Sequence, residues 1–400
     1  MIQKQEILEI AKNSKLSPHV IEKDYVLGWL LGGIAQNQEL FNNWIFKGGT
    51  CLKKCYFDSY RMSEDLDFTL KSKDLFDRSS LENVFSQISK WVYASSGIKL
   101  PEDRMIFDFY ENPRGKLSCE GRIFYHGPLA PASPQQTPRI KLDLSIDEII
   151  VEAPVTKRVD HKYSDLPSGH LLINCYSYIE IFSEKIRALA DRTRPRDLYD
   201  VIHFFRRPES KGLSSEIRRV LTRKCEFKDI QFPTYSNIEI NKDICLIGWK
   251  DQLSHQLPAL PTFESFWEEL GSFFNWLENA GQKREALPEI AGDLSRDVIS
   301  DIRNQGIEPP KINMLERIQF ASANHLCIEV TYRQPDKKHH QITIEPYSLR
   351  RTQDRNIWIC AQNHHTKEKI YLRIDDILKV DISNGFIPSF QVDFLPKCQL

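Results

Sequence analysis

The feature that most constrains this chain is an ordered run between Trp44 and Leu70. Trp44-Ile45-Phe46 is a short apolar strand that stops at Gly48-Gly49, and Thr50 to Tyr56 resumes a helical pattern. After a polar turn around Asp58-Ser59, Asp65 to Leu70 alternates acidic and apolar residues with the period of two of a half-buried strand. Asp65 and Asp67 therefore share one face. Two like charges held that close repel, so the pair suits a hard, oxygen-seeking cation or a cationic partner lying between them. The alternative is a solvated edge strand, where acidic alternation is ordinary. A later alternating strand, Arg139 to Ile146, turns Lys141, Asp143 and Ser145 one way. Asp143 is then either a further carboxylate for the same centre or a plain surface aspartate. Between strand and helix, Gly48-Gly49-Thr50 lets the backbone come close to an anion at a helix N-terminus, although an isolated double glycine is more often structural.

The rest of the chain supplies helices around that run and a different texture at its end. Apolar residues recur at helical spacing from Ile7 to Ala35, with Ser17-Pro18 restarting a second helix, and again from about Leu81 to Ala94. A connection with Pro128, Pro131, Pro134 and Pro138 precedes the Asp143 strand. Tyr178 to Arg192 is an amphipathic helix, and Pro195 opens another to about Phe205, which brings in Glu184, Lys185, Asp197 and Asp200. A local ion pair for Lys185 and a first-turn charge for Asp197 are the plain readings of those residues. Ser214 to Asn279 is mainly helical with aromatic anchors. Residues 280–311 lose periodicity and gather Gly, Pro and alternating charge, as a linker with some helical content does. Beyond them His325–Tyr332, Gln341–Pro346, Asn356–Ala361 and Ile370–Leu378 read as short strands. The expected fold class is α+β, a mixed sheet with a helical subdomain and a small, mostly β C-terminal domain. Expected bounds are 1–206, 207–280, a linker at 281–315, and 316–400.

Charge and cysteine usage narrow the partners. Lys+Arg 54 against Asp+Glu 55 gives a net charge of -1, so the total does not point to a polyanion, but Arg187, Arg192, Arg194 and Arg196 form a local basic group suited to phosphate. The nine cysteines are odd in number and lack a CxxC pair, which fits reduced thiols. Cys51 and Cys55 would stack on one helix face, yet no second ligand pair follows them. The start of the chain lacks the apolar core of a signal peptide, and no apolar run reaches the length of a membrane helix. A cytoplasmic protein without a membrane partner is expected.

The stretch FKGGTCLKKCYFDSYRMSEDLDFTL resembles the AbiEii/AbiGii-type nucleotidyltransferase toxins of the DNA polymerase beta-like superfamily. IEKDYVLGWLL, from Ile21 to Leu31, is similar to the family's N-terminal helix, and SEKIRALADRTRPRDLYDV, from Ser183 to Val201, to its later motifs. The resemblance covers roughly the first 280 residues, apart from the divergent stretch between about Leu81 and Gln136. It implies that Gly48, Gly49 and Thr50, with Lys47 beside them, hold the phosphates of a nucleoside triphosphate (NTP). Asp65, Asp67 and Asp143 would hold Mg²⁺ or Mn²⁺, Lys185 would contact phosphate, and Asp197 or Asp200 would be the late catalytic acid. Arg61 and Ser63 would orient phosphate or carboxylate, or else serve the turn. Residues from about Ala323 to Pro396 resemble a WYL-type domain through Tyr332, Pro346, Tyr347, Trp358 and Arg373, with Asp376 where that pattern has arginine. Tyr332, Trp358, Arg350 and Arg373 are its candidate ligand or nucleic-acid residues, and a Trp358 that is merely core is the alternative. The implied activity is transfer of a nucleoside monophosphate from an NTP to RNA, the tRNA 3′ end included, or to protein. The implied setting is a toxin–antitoxin or phage-defence system with a cognate antitoxin or defence partner. The rival reading is a catalytically silent sensor of nucleotides or nucleic acid, in which ligand binding survives Asp65→Ala and Asp67→Ala.

Overall fold

A computed structural model describes residues 1–57, 60–130, 133–165, 171–279, 287–290, 297–299, 301–334 and 338–398. The turn at Asp58-Ser59, Pro131 and much of the expected linker lie outside them. In chain order the first part comprises α1 (Lys4–Ser14), α2 (Pro18–Gln36), α3 (Gln38–Asn43), β1 (Trp44–Lys47) and α4 (Gly48–Cys51), which runs on as a π-turn through Leu52–Tyr56. Then come β2 (Asp65–Leu70), α5 (Arg78–Ser96), β3 (Ile106–Glu111), β4 (Leu117–Phe124), β5 (Arg139–Ser145), β6 (Val155–Arg158) and β7 (Leu172–Cys175). Among the described residues these seven strands form one mixed sheet, ordered β3-β4-β5-β2-β1-β7-β6. β2 runs parallel to β5, and β1 parallel to β7; the other neighbours are antiparallel.

Local chemistry explains the elements that carry the site. α2 begins with Pro18 at its first turn, where a missing N–H costs nothing. Along β2 the pattern sends Leu66 and Phe68 into the core, fully buried, and leaves Asp65 and Asp67 on the opposite, half-buried face. α6 (Tyr178–Arg192) is capped by Ser177, whose hydroxyl accepts from Glu180 N at 3.2 Å, and it buries Ile181, Phe182, Ile186 and Leu189. α7 (Pro195–Arg206) again opens on proline.

The helical part follows as α8 (Ser214–Lys228), α9 (Tyr235–Glu239), α10 (Lys242–Leu253), α11 (Glu264–Trp267) and α12 (Glu269–Glu278). Phe182, Phe204, Phe205, Phe273 and Trp276 interlock there, with Phe182 stacked on Phe204 at 4.5 Å between centroids. β8 (Asp297–Val298) and α13 (Pro309–Ala323) come next, so the span expected as a linker holds the start of a helix that packs on β9, β10 and β13. The last strands are β9 (Leu326–Arg333), β10 (His339–Arg351), β11 (Ile357–Asn363), β12 (Lys369–Arg373) and β13 (Ile377–Gly385), in the order β12-β11-β10-β9-β13 with β8 on β10. Ile370–Leu378, expected as one strand, is broken by a 3-10 turn at Ile374–Asp376, and its two halves become opposite edges of that sheet. The class is α+β. Among the described residues no helix is long and apolar enough to cross a membrane.

Candidate active site

The register of β2 and β5 assembles the acidic face. Asp67 lies opposite Asp143 and Asp65 opposite Lys141 on the parallel neighbour, while Lys47 of β1 lies opposite Asp67 on the other side. These residues, with Gly48 and Gly49, line a cleft of about 400 Å³. Its far wall comes from α6 and the start of α7, with Lys185, Arg187, Arg192, Arg194, Arg196 and Asp197. The local basic group seen in the sequence thus faces the aspartates across one cleft, an arrangement that pairs cation-seeking carboxylates with phosphate-seeking guanidinium groups.

Charge on the acidic face is under-compensated. Burial and the neighbouring Asp143 push the Asp67 carboxyl up to about 6, against the pull of Lys47. Burial likewise raises Asp65, opposed by Lys141 and reinforced by Asp143. Lys141 draws Asp143 Oδ2 to 3.0 Å and Glu120 to 3.3 Å. Among the described residues the three carboxylates are not a set whose oxygens all lie within 4.8 Å of one another. The donor set is all hard carboxylate, with Asp65 and Asp67 partly desolvated and raised toward their neutral forms, and therefore fits a divalent cation of the Mg²⁺ kind.

The glycine turn is sterically required. Gly48 has φ +80, and a Cβ there would run into Asp67 Oδ2; a Cβ on Gly49 would come within 2.8 Å of Arg61 Nη2 and 2.9 Å of Ser63 Oγ. Thr50 sits differently from its expected place on the phosphates. It is buried outside the cleft lining, and its hydroxyl donates to the Asp65 carbonyl at 2.5 Å, tying the turn to the acidic strand.

Asp197 and Asp200 now differ. Asp200 is fully buried and takes Arg61 Nε and Nη2 at 2.7 Å each, the Tyr60 hydroxyl at 2.5 Å and Lys185 Nζ at 2.8 Å. Burial works to raise its carboxyl, but Arg61 and Lys185 outweigh that and hold it well below the usual range. Asp197 lines the cleft and accepts from Arg192 Nε at 2.7 Å and Lys185 Nζ at 3.3 Å. Burial opposes its charge too, and Lys185 and Arg192 bring it below the usual value. Arg61 lines the cleft with its guanidinium committed to Asp200 and, through Nη1, to Gln256 Oε1 at 2.9 Å. Sequence reasoning did not find Gln256, whose carbonyl also accepts from Met62 N at 2.9 Å and so ties the turn after α10 to the segment beside β2. Glu148 and Asp191 were missed as cleft residues as well, whereas Glu184, brought in with the Tyr178–Arg192 helix, does line the cleft. Glu148 lies 3.6 Å from Lys47, and the only sequence signal for it was a position just beyond the Asp143 strand.

Cys51 and Cys55 do stack, and the fold adds Cys175 of β7, the three sulfurs lying within 4.8 Å of one another. All are buried, and burial pushes the Cys51 and Cys55 thiols well up, so those two pack as neutral core groups. In the C-terminal sheet Arg350, Trp358 and Arg373 fall in one row across β10, β11 and β12. Arg350 is buried and accepted by Ser348 Oγ at 2.7 Å and Asp393 Oδ2 at 3.0 Å, while Arg373 is held by Asp376 at 3.1 and 3.2 Å. Tyr332 pairs with His340, ten residues along β10 from Arg350, and stands outside that row.

A double-glycine turn, a strand presenting two aspartates beside a third, and a cationic helical wall make a cleft whose chemistry suits a nucleotidyltransferase. The chain belongs to the AbiEii family: residues 29–270 match the family model described as nucleotidyl transferase AbiEii toxin, type IV toxin–antitoxin system. Membership implies an NTP substrate and a cognate antitoxin. The fold is similar to that of MenT4, a nucleotidyltransferase toxin from Mycobacterium tuberculosis H37Rv, with 15% identity, TM-score 0.49, and coverage of 70% of this chain and 90% of that one. Proteasome accessory factor B/C of Arthrobacter aurescens matches at 10% identity and TM-score 0.19, over 70% of this chain and 61% of that one. No curated protein matches the chain in sequence.

Proposed function

We propose that this chain transfers a nucleoside monophosphate from an NTP to the 3′ end of an RNA, with tRNA as the first acceptor to test, and that it needs Mg²⁺ or Mn²⁺. The observation that carries this reading is the register of Asp67 opposite Asp143, two residues from Asp65, against a turn whose Gly48 leaves no room for a Cβ. Asp65, Asp67 and Asp143 would hold the cation, which when bound neutralises phosphate charge and makes an attacking hydroxyl easier to deprotonate. Gly48 and Gly49 let the triphosphate approach the backbone, and Lys47 and Lys185 flank it. Arg192, Arg194 and Arg196 offer the wall on which charge developing on the leaving pyrophosphate is balanced. Asp197 orients Lys185 and Arg192 from within the cleft. Asp200 positions Arg61, and through it the segment carrying Ser63.

The same reading treats 1–206 as catalytic, 207–280 as helical support, 281–315 as connecting and 316–400 as a WYL-like module, with α13 packed on that module's sheet. Trp358 between Arg350 and Arg373 supports a ligand face there, and the acids already on both arginines restrict it to a ligand able to displace them. The test is incubation of the purified chain with each labelled NTP, Mg²⁺ and total RNA. Label is expected in RNA, and lost with Asp67→Asn. Labelling that persists in that variant, or label found only on protein, overturns the proposal.

A further inference from the structure

Behind the segment that carries Arg61 and Ser63 lies a second cavity, of about 280 Å³, where the transferase part meets α13. Residues 60–63 form a shared wall: Tyr60 and Met62 line this cavity, while Arg61 and Ser63 line the catalytic cleft. Lys53, on the turn that continues the Gly48–Thr50 bend, points to it from the same side. Two compartments are therefore separated by one strip of chain.

The lining is cationic at one side and apolar elsewhere. Among its described residues four cations, Lys53, Lys162, Arg303 and Arg317, face one carboxylate, Glu316. Lys53 is only 6% exposed and stabilises the charge of Asp24, Asp160 and Glu316 around it. Glu316 is taken up by Arg303 at 2.6 Å; Asp160 stands 3.6 Å from Lys162, and Asp381, 3.5 Å from Arg317, is shared with Lys15 and Lys379. Burial and the like charge of Lys53 and Arg303 hold the Lys162 ammonium below its usual value despite Asp160. That is the condition an added anion relieves. Ile10, Leu16, Ile21 and Phe320 complete the wall with an apolar surface. The volume is near the lower end for small-molecule sites, so it suits one ring or short chain and one doubly charged head.

We propose that this junction cavity binds a small organic phosphate monoester, its phosphate toward Lys53, Lys162 and Arg303 and its apolar group against Tyr60, Met62 and Phe320, and that occupancy is felt in the cleft through residues 60–63. Binding stands apart from the transferase reading; the coupling rests on it.

The experiment is calorimetric titration of the full chain with phenyl phosphate, without divalent metal, beside inorganic phosphate. One equivalent is expected to bind, more tightly than inorganic phosphate because of the apolar wall. Affinity should fall about tenfold in Arg303→Ala and in Lys162→Met, the loss of one charge-assisted contact. It should be unchanged in the cleft double variant Arg194→Ala, Arg196→Ala. Arg303 is 44% exposed, so its variant keeps the test valid if Lys162→Met does not fold. No binding, equal affinity for the two phosphates, indifference to Arg303→Ala, or loss in the cleft variant instead would each overturn the site. Saturating phenyl phosphate should also shift NTP affinity by about threefold or more in the original chain and not in Arg303→Ala. An unshifted NTP affinity overturns the coupling while leaving the binding result and the activity test separately readable.

Discussion

On β2 and β5, Asp65, Asp67 and Asp143 share a face with two lysines and with one another; across the same cleft on α7, Asp197 and Asp200 are enclosed by Lys185, Arg192 and Arg61. Burial opposes charge in both places, yet Asp67 ends raised to about 6 while Asp200 ends well below the usual carboxyl range. The difference is partner geometry. Bidentate Arg61 and Lys185 more than offset desolvation at Asp200, whereas Asp67 meets another carboxylate across the strand pair. The paired set holds architecture together, and the under-paired set is the one proposed to hold the cation.

That contrast can be broken most easily at Asp200. Asp200→Ala should cost about 3–5 kcal/mol of stability in chemical denaturation, because it strands Arg61 and Lys185 in the interior. A loss under about 1 kcal/mol would mean that the enclosure is not what the distances indicate. Asp67→Asn should do the reverse, lowering transfer by about a hundredfold or more while leaving the unfolding midpoint unchanged or slightly raised, since a repelling charge is removed. If it destabilises as Asp200→Ala does, the two sets are not different in kind.

Acid titration sharpens the same point. Asp67 is raised from an unfolded value of about 3.9, so between about pH 4 and 6 the folded state binds its proton and the unfolded state does not. Without metal its contribution therefore favours folding at the lower end and is lost as pH rises through 6. Asp200 is depressed, so its contribution is present above the unfolded value and is lost as pH falls toward its folded one. Denaturation midpoints from pH 3 to 7 should show the first slope vanish in Asp67→Asn and the acid-side loss shrink in a folded Asp200 variant. The smallest effect is expected at Arg373, whose pair with Asp376 is at the surface. Arg373→Ala should leave both melting temperature and RNA labelling unchanged, and a changed labelling level would connect the C-terminal sheet to catalysis.

Much of this was legible in the chain. The Asp65–Leu70 strand and the Tyr178–Arg192 helix coincide with their sequence patterns, because side-chain period is local covalent geometry. The β3–β4 hairpin has a weaker local signal: Ile106–Glu111 alternates, and Asn112 and Gly115 form its turn, with Asn112 Oδ1 accepting from Arg114 N at 2.9 Å and Gly115 at φ +66. β6 and β7 have four residues each, too short for periodicity to distinguish from loop. Thr50 looked like a phosphate contact from its place in the motif, and only the approach of the Asp65 carbonyl gives its hydroxyl another task.

By itself the sequence determined which side chains share a face, where helices start, and that acid would alternate with apolar residues after a glycine bend. It did not determine that β5 would lie parallel to β2 with Asp143 opposite Asp67, that Gln256 would grip Arg61, or that α13 would close a cavity behind Met62. Those outcomes join residues tens to hundreds of positions apart. They follow from burying whole faces against one another, a global packing condition that no window of neighbouring residues contains.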